Sequence, residues 1–270
     1  MPGAFLLAQE TLAPVHPGRL AAAYALLLLP LGVMLWWRLP LIPRMLLAVI
    51  RMTVQLLLVG LYLQVVFELD HPALNLLWLG VMIAVADAAI LRDSGLRLRR
   101  LALPLGLGLV VGTAIPLVVF IAAVTPADSL VDARFFIPVG GMILGNCLRA
   151  NIVGVRSFFG GVRDRETRYL QALGFGATPV EALRPFHRAA IEAALAPTLA
   201  TMATIGLVSL PGMMTGVMLG GADPMRAVAY QIAIMLAIFA GTAVTVSIVL
   251  GLAGRRLIDG AGLIDRSLFR

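Results

Sequence analysis

Seven stretches of this chain are long and apolar enough to cross a hydrocarbon layer: residues 20–37, 45–67, 74–91, 101–124, 138–155, 190–219 and 227–254. A layer of about 30 Å is crossed by about 20 mostly apolar residues in α-helix. Within lipid the backbone must satisfy its own polar groups, and a helix does so inside one segment. Hydrophobic residues make up 60% of the 270 and charged ones 13%, more apolar surface than a soluble domain of this size can hide. The sequence therefore predicts an all-α integral membrane protein of about seven transmembrane helices, with residues 1–270 forming a single transmembrane domain.

The charges sort by side. All 21 basic residues are arginine. Arg38 and Arg44 lie between the first two stretches, and Arg92, Arg97, Arg99 and Arg100 between the third and fourth. Arg156, Arg163, Arg165, Arg168, Arg184 and Arg188 lie between the fifth and sixth, with Arg255, Arg256, Arg266 and Arg270 after the seventh. Only Arg19, Arg134 and Arg226 fall on the opposite side, together with Glu10, Glu68, Asp70, Asp128, Asp132 and Asp223. By the positive-inside rule the N-terminus is outside and the C-terminus cytoplasmic. The net charge of +7 follows from that topology, so no nucleic-acid partner is expected. One cysteine, Cys147, excludes a disulfide framework and a multi-cysteine metal site, and His16, His71 and His187 are too scattered for ligand spacing. The opening "MPGAFLLAQE" has no basic residue before its short apolar run and does not read as a cleavable signal peptide.

The one sizeable polar connection, about 156–189, contains "LGFGATPVEALRP" at 173–185. Gly174 and Gly176 loosen the backbone, and Ala177 leads into Thr178, Pro179, Glu181 and Ala182. Thr178 with Glu181 is a T-x-x-E capping box, and proline suits the first helical position. A short capped helix over 176–183 is predicted on the cytoplasmic side. Upstream, "VRDRETRYLQALG" at 162–174 has helical spacing, with Glu166, Leu170 and Leu173 able to share faces. Two short helices about a glycine hinge suit either a grip for a soluble partner or a helix lying on the inner leaflet, where arginines are at home.

Polar residues inside spans mark interior or pathway faces. Arg51 and Gln55 share one face of the second span, although Arg51 is close enough to the membrane edge to reach headgroups. Asn146, Arg149 and Asn151 form the densest patch, Asn146 and Arg149 sharing a face. Asp87 and Arg92 suggest a local ion pair, and Gln231 a hydrogen bond between helices. The sixth stretch is interrupted by Pro197 and by "SLPGMMTG", where Pro211 and Gly212 predict a kink or unwound turn ahead of Met213, Met214 and Thr215. Of twelve methionines, Met202, Met213, Met214 and Met218 flank that break and Met142 lies near Asn146. Thioethers suit soft cations and also simply fill irregular space.

"LGFGATPVEALRP" followed by "AAIEAALAP" resembles the cytoplasmic coupling loop of ABC-transporter permeases. Four stretches, "RMTVQLLLVG" (51–60), "GGMILGN" (140–146), "GATPVEALRP" (176–185) and "GLVSLPGMMTGVMLGGADPMRAVAYQI" (206–232), resemble the FetB-type iron-export permeases and their plant aluminium-tolerance relatives. The resemblance implies a permease subunit of the bacterial inner membrane, paired as a homodimer above a cytoplasmic P-loop ATPase that binds ATP and Mg. It implies export of a metal ion, iron, with a polar organic cargo such as a nucleotide-sugar as the alternative. Residues 174, 176–179, 181 and 182 would then couple to the ATPase. Arg51, Gln55, Met142, Asn146, Arg149 and 211–215 would line the path. A chain with no lysine has no Walker motif, so no ATPase site and no cofactor of its own is expected. A stand-alone secondary transporter would show paired broken helices in two halves, and only one Pro-Gly break is present. An intramembrane hydrolase reading fails on Ser157, which lacks both a G-x-S-x-G setting and a histidine within any span.

Overall fold

Lipid-like segments this apolar have one economical way to satisfy their backbone, and all regular structure among the described residues is helical. The computed structural model describes residues 17–69, 71–94, 98–124, 131–258 and 263–265. The "MPGAFLLAQE" segment, His16, Asp70, Arg97, Asp128, Arg266 and Arg270 lie outside them, as do the side chains of Arg99 and Arg100. The elements are α1 (Pro17–Tyr24), a 3-10 turn (Ala25–Leu27), α2 (Leu28–Trp36), α3 (Ile42–Leu69), α4 (Pro72–Ser94) and α5 (Leu98–Val124). They continue as α6 (Ala133–Asp164), α7 (Glu166–Gly174), α8 (Pro179–Thr204), α9 (Gly212–Leu219) and α10 (Pro224–Leu257).

Six helical segments among these are long and apolar enough to cross a membrane: Gly18–Trp36, Ile42–Leu69, Pro72–Asp93, Leu101–Val124, Ala133–Asp164 and Pro224–Leu257. The predicted stretch 190–219 is not one of them, because it is not one helix. The helix that enters it starts at Pro179 and carries Arg184, His187, Arg188 and Glu192. It ends at Thr204, and a helix resumes only at Gly212. Gly206, with φ of +86°, turns the backbone there, its N–H donating to Ser209 O at 2.9 Å. The break expected at Pro211 thus begins seven residues earlier, at the end of α8.

The chain divides into two compact units, Met1–Leu69 with Gly216–Asp223, and Asp70–Thr215 with Pro224–Arg270. In the first, α3 buries only Val66, and Tyr24 Oη lies 2.6 Å from Thr53 Oγ1, joining α1 to α3. In the second, α6 is the axis, packed against α4, α5, α7, α8 and α10. Its buried face includes Ile143, Cys147, Ala150, Phe158 and Val162.

Small residues set the closest approach. Gly108 and Gly112 of α5 face Gly241, Thr245 and Val249 of α10. A Cβ on Gly241 would stand 2.5 Å from Gly112 O, and one on Gly112 would stand 2.6 Å from Thr245 Cβ. Such stripes let membrane helices pack through backbone contact. Beside them Asn151 is buried, its Nδ2 donating to Cys147 O at 2.8 Å and to Thr245 Oγ1 at 3.0 Å. Asn151 is therefore part of the helix packing, separated in role from Asn146 and Arg149. The Asp87–Arg92 ion pair expected from spacing is not formed: Asp87 Oδ1 is buried with no partner. Arg156 is not a free charge. Its Nε and Nη2 both donate to Asp93 O, at 3.0 and 2.6 Å, closing the C-terminal end of α4.

Candidate functional site

The elbow between α7 and α8 is built from local chemistry. Gly176 has φ of +87°, its N–H donates to Leu173 O at 2.9 Å, and Ala177 N–H donates to Ala172 O at 3.0 Å. This is a Schellman motif, which favours glycine at the left-handed position. The chain then enters α8 through the capping box. Glu181 N–H donates to Thr178 Oγ1 at 3.3 Å, while Thr178 N–H and Oγ1–H donate to Glu181 Oε2 at 2.8 and 2.7 Å. Those bonds, the hydroxyl first and the backbone N–H second, hold the Glu181 carboxyl below the ordinary carboxylate range. Pro179 is the first helical residue, Gly174 closes α7, and Ala182 is buried. The predicted cap is present, but the helix it begins is not short: α8 runs 26 residues without interruption. In α7 the buried residue is Tyr169, while Leu170 is 42% exposed.

A histidine that spacing did not single out locks this elbow to α10. His187 Nδ1 lies 3.1 Å from Leu183 O in its own helix, and Nε2 lies 3.0 Å from Leu250 O. Its ring packs on Phe158 of α6 at a centroid distance of 4.4 Å. Gly254 leaves room for it, since a Cβ there would fall 2.7 Å from Nε2. The early turns of α8 and the end of α10 also enclose a groove of about 960 Å³, lined among others by Glu181, Arg184, His187, Ser247 and Arg255.

Farther along α8 the helix faces α6 and α10 across a groove of about 590 Å³, whose polar lining is Asn146, Arg149, Thr198 and Thr201. Arg149 Nη2 donates to Asn146 Oδ1 at 3.3 Å, and Asn146 Nδ2 to Met142 O at 2.8 Å, so the predicted pair does share one face. Thr198 and Thr201, three apart after Pro197, were missed in the sequence, although that spacing puts both hydroxyls on one helix face. Arg149 stands sixteen residues after Ala133 and fifteen before Asp164. At 1.5 Å per residue that is about 24 and 22 Å from the helix ends. Arg149 is exposed on the helix surface, and the polar lining of the groove gives its guanidinium a setting other than lipid.

Met235 lines this groove and also a neighbouring cavity of about 350 Å³ at the break between α8 and α9. That cavity is formed by Met202, Pro211, Met214, Gln231 and apolar residues of α10. Gln231, expected to bridge helices, is 9% exposed and lines the cavity. Thr215 Oγ1–H donates to Pro211 O at 3.1 Å, steadying the start of α9, while Gly212 is exposed and Met213 half-buried. Arg51 and Gln55 are both exposed on α3, in the other unit. Among the described residues no group of three His, Cys, Asp or Glu side chains is placed to hold a metal ion.

These features define a polytopic α-helical membrane protein with a polar groove among its long helices and a capped elbow at one end of it. Residues 17–258 match the family described as the uncharacterised protein family UPF0014. The chain belongs to the UPF0014 family of membrane proteins, the family its four motifs resembled. It is 37% identical over 221 residues to a UPF0014 membrane protein of Synechocystis sp., covering 82% of this chain and 83% of that one. The Arabidopsis thaliana protein ALUMINUM SENSITIVE 3 is 31% identical over 224 residues, 81% of this chain and 79% of the relative. The Escherichia coli protein named probable iron export permease protein FetB is 32% identical over 182 residues, 67% and 69% of the two chains. No solved structure matches the chain significantly.

Proposed function

We propose that this chain is the permease subunit of an ABC exporter, powered by a separate P-loop ATPase that binds ATP and Mg. Two copies form the path, each a single transmembrane domain with seven crossings, N-terminus outside and C-terminus cytoplasmic. The seventh crossing combines the apolar end of α8, the break and α9. The observation that carries this reading is the continuity of α8. One helix begins at a rigidly capped elbow suited to a soluble partner, is bolted to α10 through His187, and ends beside the Arg149 groove and the methionine-lined break. A push on the elbow reaches both cavities without crossing a loop. Iron as cargo is taken from the name of the relative FetB.

The test is a mild-detergent pull-down of the tagged chain from its native membrane. A P-loop ATPase should co-purify in near-equal amount and be lost when Glu181 is replaced by proline. Recovery of the intact permease with no ATPase, under conditions that keep the dimer, would refute the reading.

A further inference from the structure

We infer that the groove between α6, α8 and α10 recognises its cargo as an oxyanion, through Arg149. This rests on the permease reading and names the cargo's chemical class within it. The groove offers a guanidinium, the Asn146 carboxamide and the Thr198 and Thr201 hydroxyls, and no acidic side chain lines it. Among the described residues Arg149 is in no ion pair, and its one hydrogen bond goes to the neutral Asn146. Thr201 Oγ1–H is already donated to Pro197 O at 2.9 Å, leaving its lone pairs, whereas Thr198 has its hydroxyl to give. The donor set is thus a forked cation flanked by a carboxamide and a hydroxyl, which fits carboxylate or phosphate oxygens.

A bare divalent cation meets the opposite situation. It would face a fixed positive charge, with no carboxylate, thiolate or imidazole in the groove to replace its water. A metal that passes here travels inside an anionic chelate. A phosphorylated or carboxylated organic molecule presents the same oxygens without a metal.

The experiment measures equilibrium binding to the purified full-length permease in detergent, with citrate, iron(III)–citrate, glucose 6-phosphate and free ferrous ion as probes. At least one anion should bind, more weakly as salt rises, and R149Q should weaken it at least tenfold. R149K keeps the charge without the fork and should fall between the two, and T198V should lose severalfold. Preference for iron(III)–citrate over citrate would identify a chelate, and preference for glucose 6-phosphate an organic phosphate. Tighter binding of free ferrous ion than of every anion, or anion binding unchanged in R149Q, overturns the inference. Retention of the ATPase by R149Q and T198V shows that the variants are folded. It also separates the failures: an ATPase that co-purifies without anion selectivity sinks only this inference. Arginine-dependent anion binding without an ATPase sinks only the exporter reading.

Discussion

At the scale of single residues, the strongest leverage lies where one atom holds two elements together. Gly254→Ala would place a Cβ 2.7 Å from His187 Nε2, and the ring, tilted against Phe158 at a centroid distance of 4.4 Å, has little freedom to yield. The bond to Leu250 O should break, at a cost of about 0.5–1.5 kcal/mol. The expected outcome is a modest fall in thermal midpoint and, on the exporter reading proposed above, ATP hydrolysis no longer matched by transport. His187→Ala should show the same pair of effects, and normal transport in both variants would exclude the lock. Glu181 supplies a pH signature. Its carboxyl titrates below its unfolded value of about 4.3, so the cap's contribution is complete above that pH and fades as acidification passes the lowered folded value. Protection of the Thr178 and Glu181 amides, taken relative to their intrinsic exchange rates at each pH, should therefore fall in acid. In Glu181→Gln, which keeps the capping geometry without the charge, that protection should not change over the same range.

At the scale of elements, the α5–α10 stripe makes opposite forecasts for two glycines of similar appearance. Gly241→Ala drives a Cβ to 2.5 Å from Gly112 O and 2.9 Å from Ile143 Cγ2, so backbone must move, at roughly 1–3 kcal/mol or more. Gly106→Ala meets nothing within 4 Å and should hold or raise stability by up to about 1 kcal/mol, as in other helix interiors. Thermal midpoints of the two variants in one detergent would check both. The same elements show what the sequence could reveal. The capping box was legible because Thr178, Pro179 and Glu181 lie within one turn. Six of the seven apolar runs coincide with helices long and apolar enough to cross a membrane, and polar helix ends such as 156–164 carried no signal of their extent. The true reach of α8 was not legible, because Arg184, Pro185, Arg188 and Glu192 mark polarity, and helical hydrogen bonding is indifferent to polarity. Nor was the lock, since Leu250 is 63 residues from His187 and leaves no periodic trace. Asn146 and Arg149 were paired correctly by i, i+3 spacing. That Gln231 lines a cavity was not legible, because spacing along one helix is blind to a cavity beside it.

At the scale of the whole molecule, the lever requires α8 and the residues after it to cross the membrane, and that is open to a direct test. From Ala193 to Thr204 the apolar part of α8 is about 18 Å long at 1.5 Å per residue, too short for a core of about 30 Å. The crossing must therefore use the break and α9, where backbone outside a helix is tolerated only if protein or water satisfies it. The elbow and the start of α10 then lie on opposite sides. Phe175 is 92% exposed and Met225 is 73% exposed, one before and one after this stretch. The sole cysteine, Cys147, is buried and should not react with a membrane-impermeant maleimide. Phe175→Cys should be labelled only from the cytoplasmic side and Met225→Cys only from outside, in intact cells against inverted vesicles. Labelling of both from one side would mean that α8 and α9 fold back without crossing. An elbow movement could then no longer be carried through the bilayer along α8, and the Arg149 groove would need some other link to the energy source.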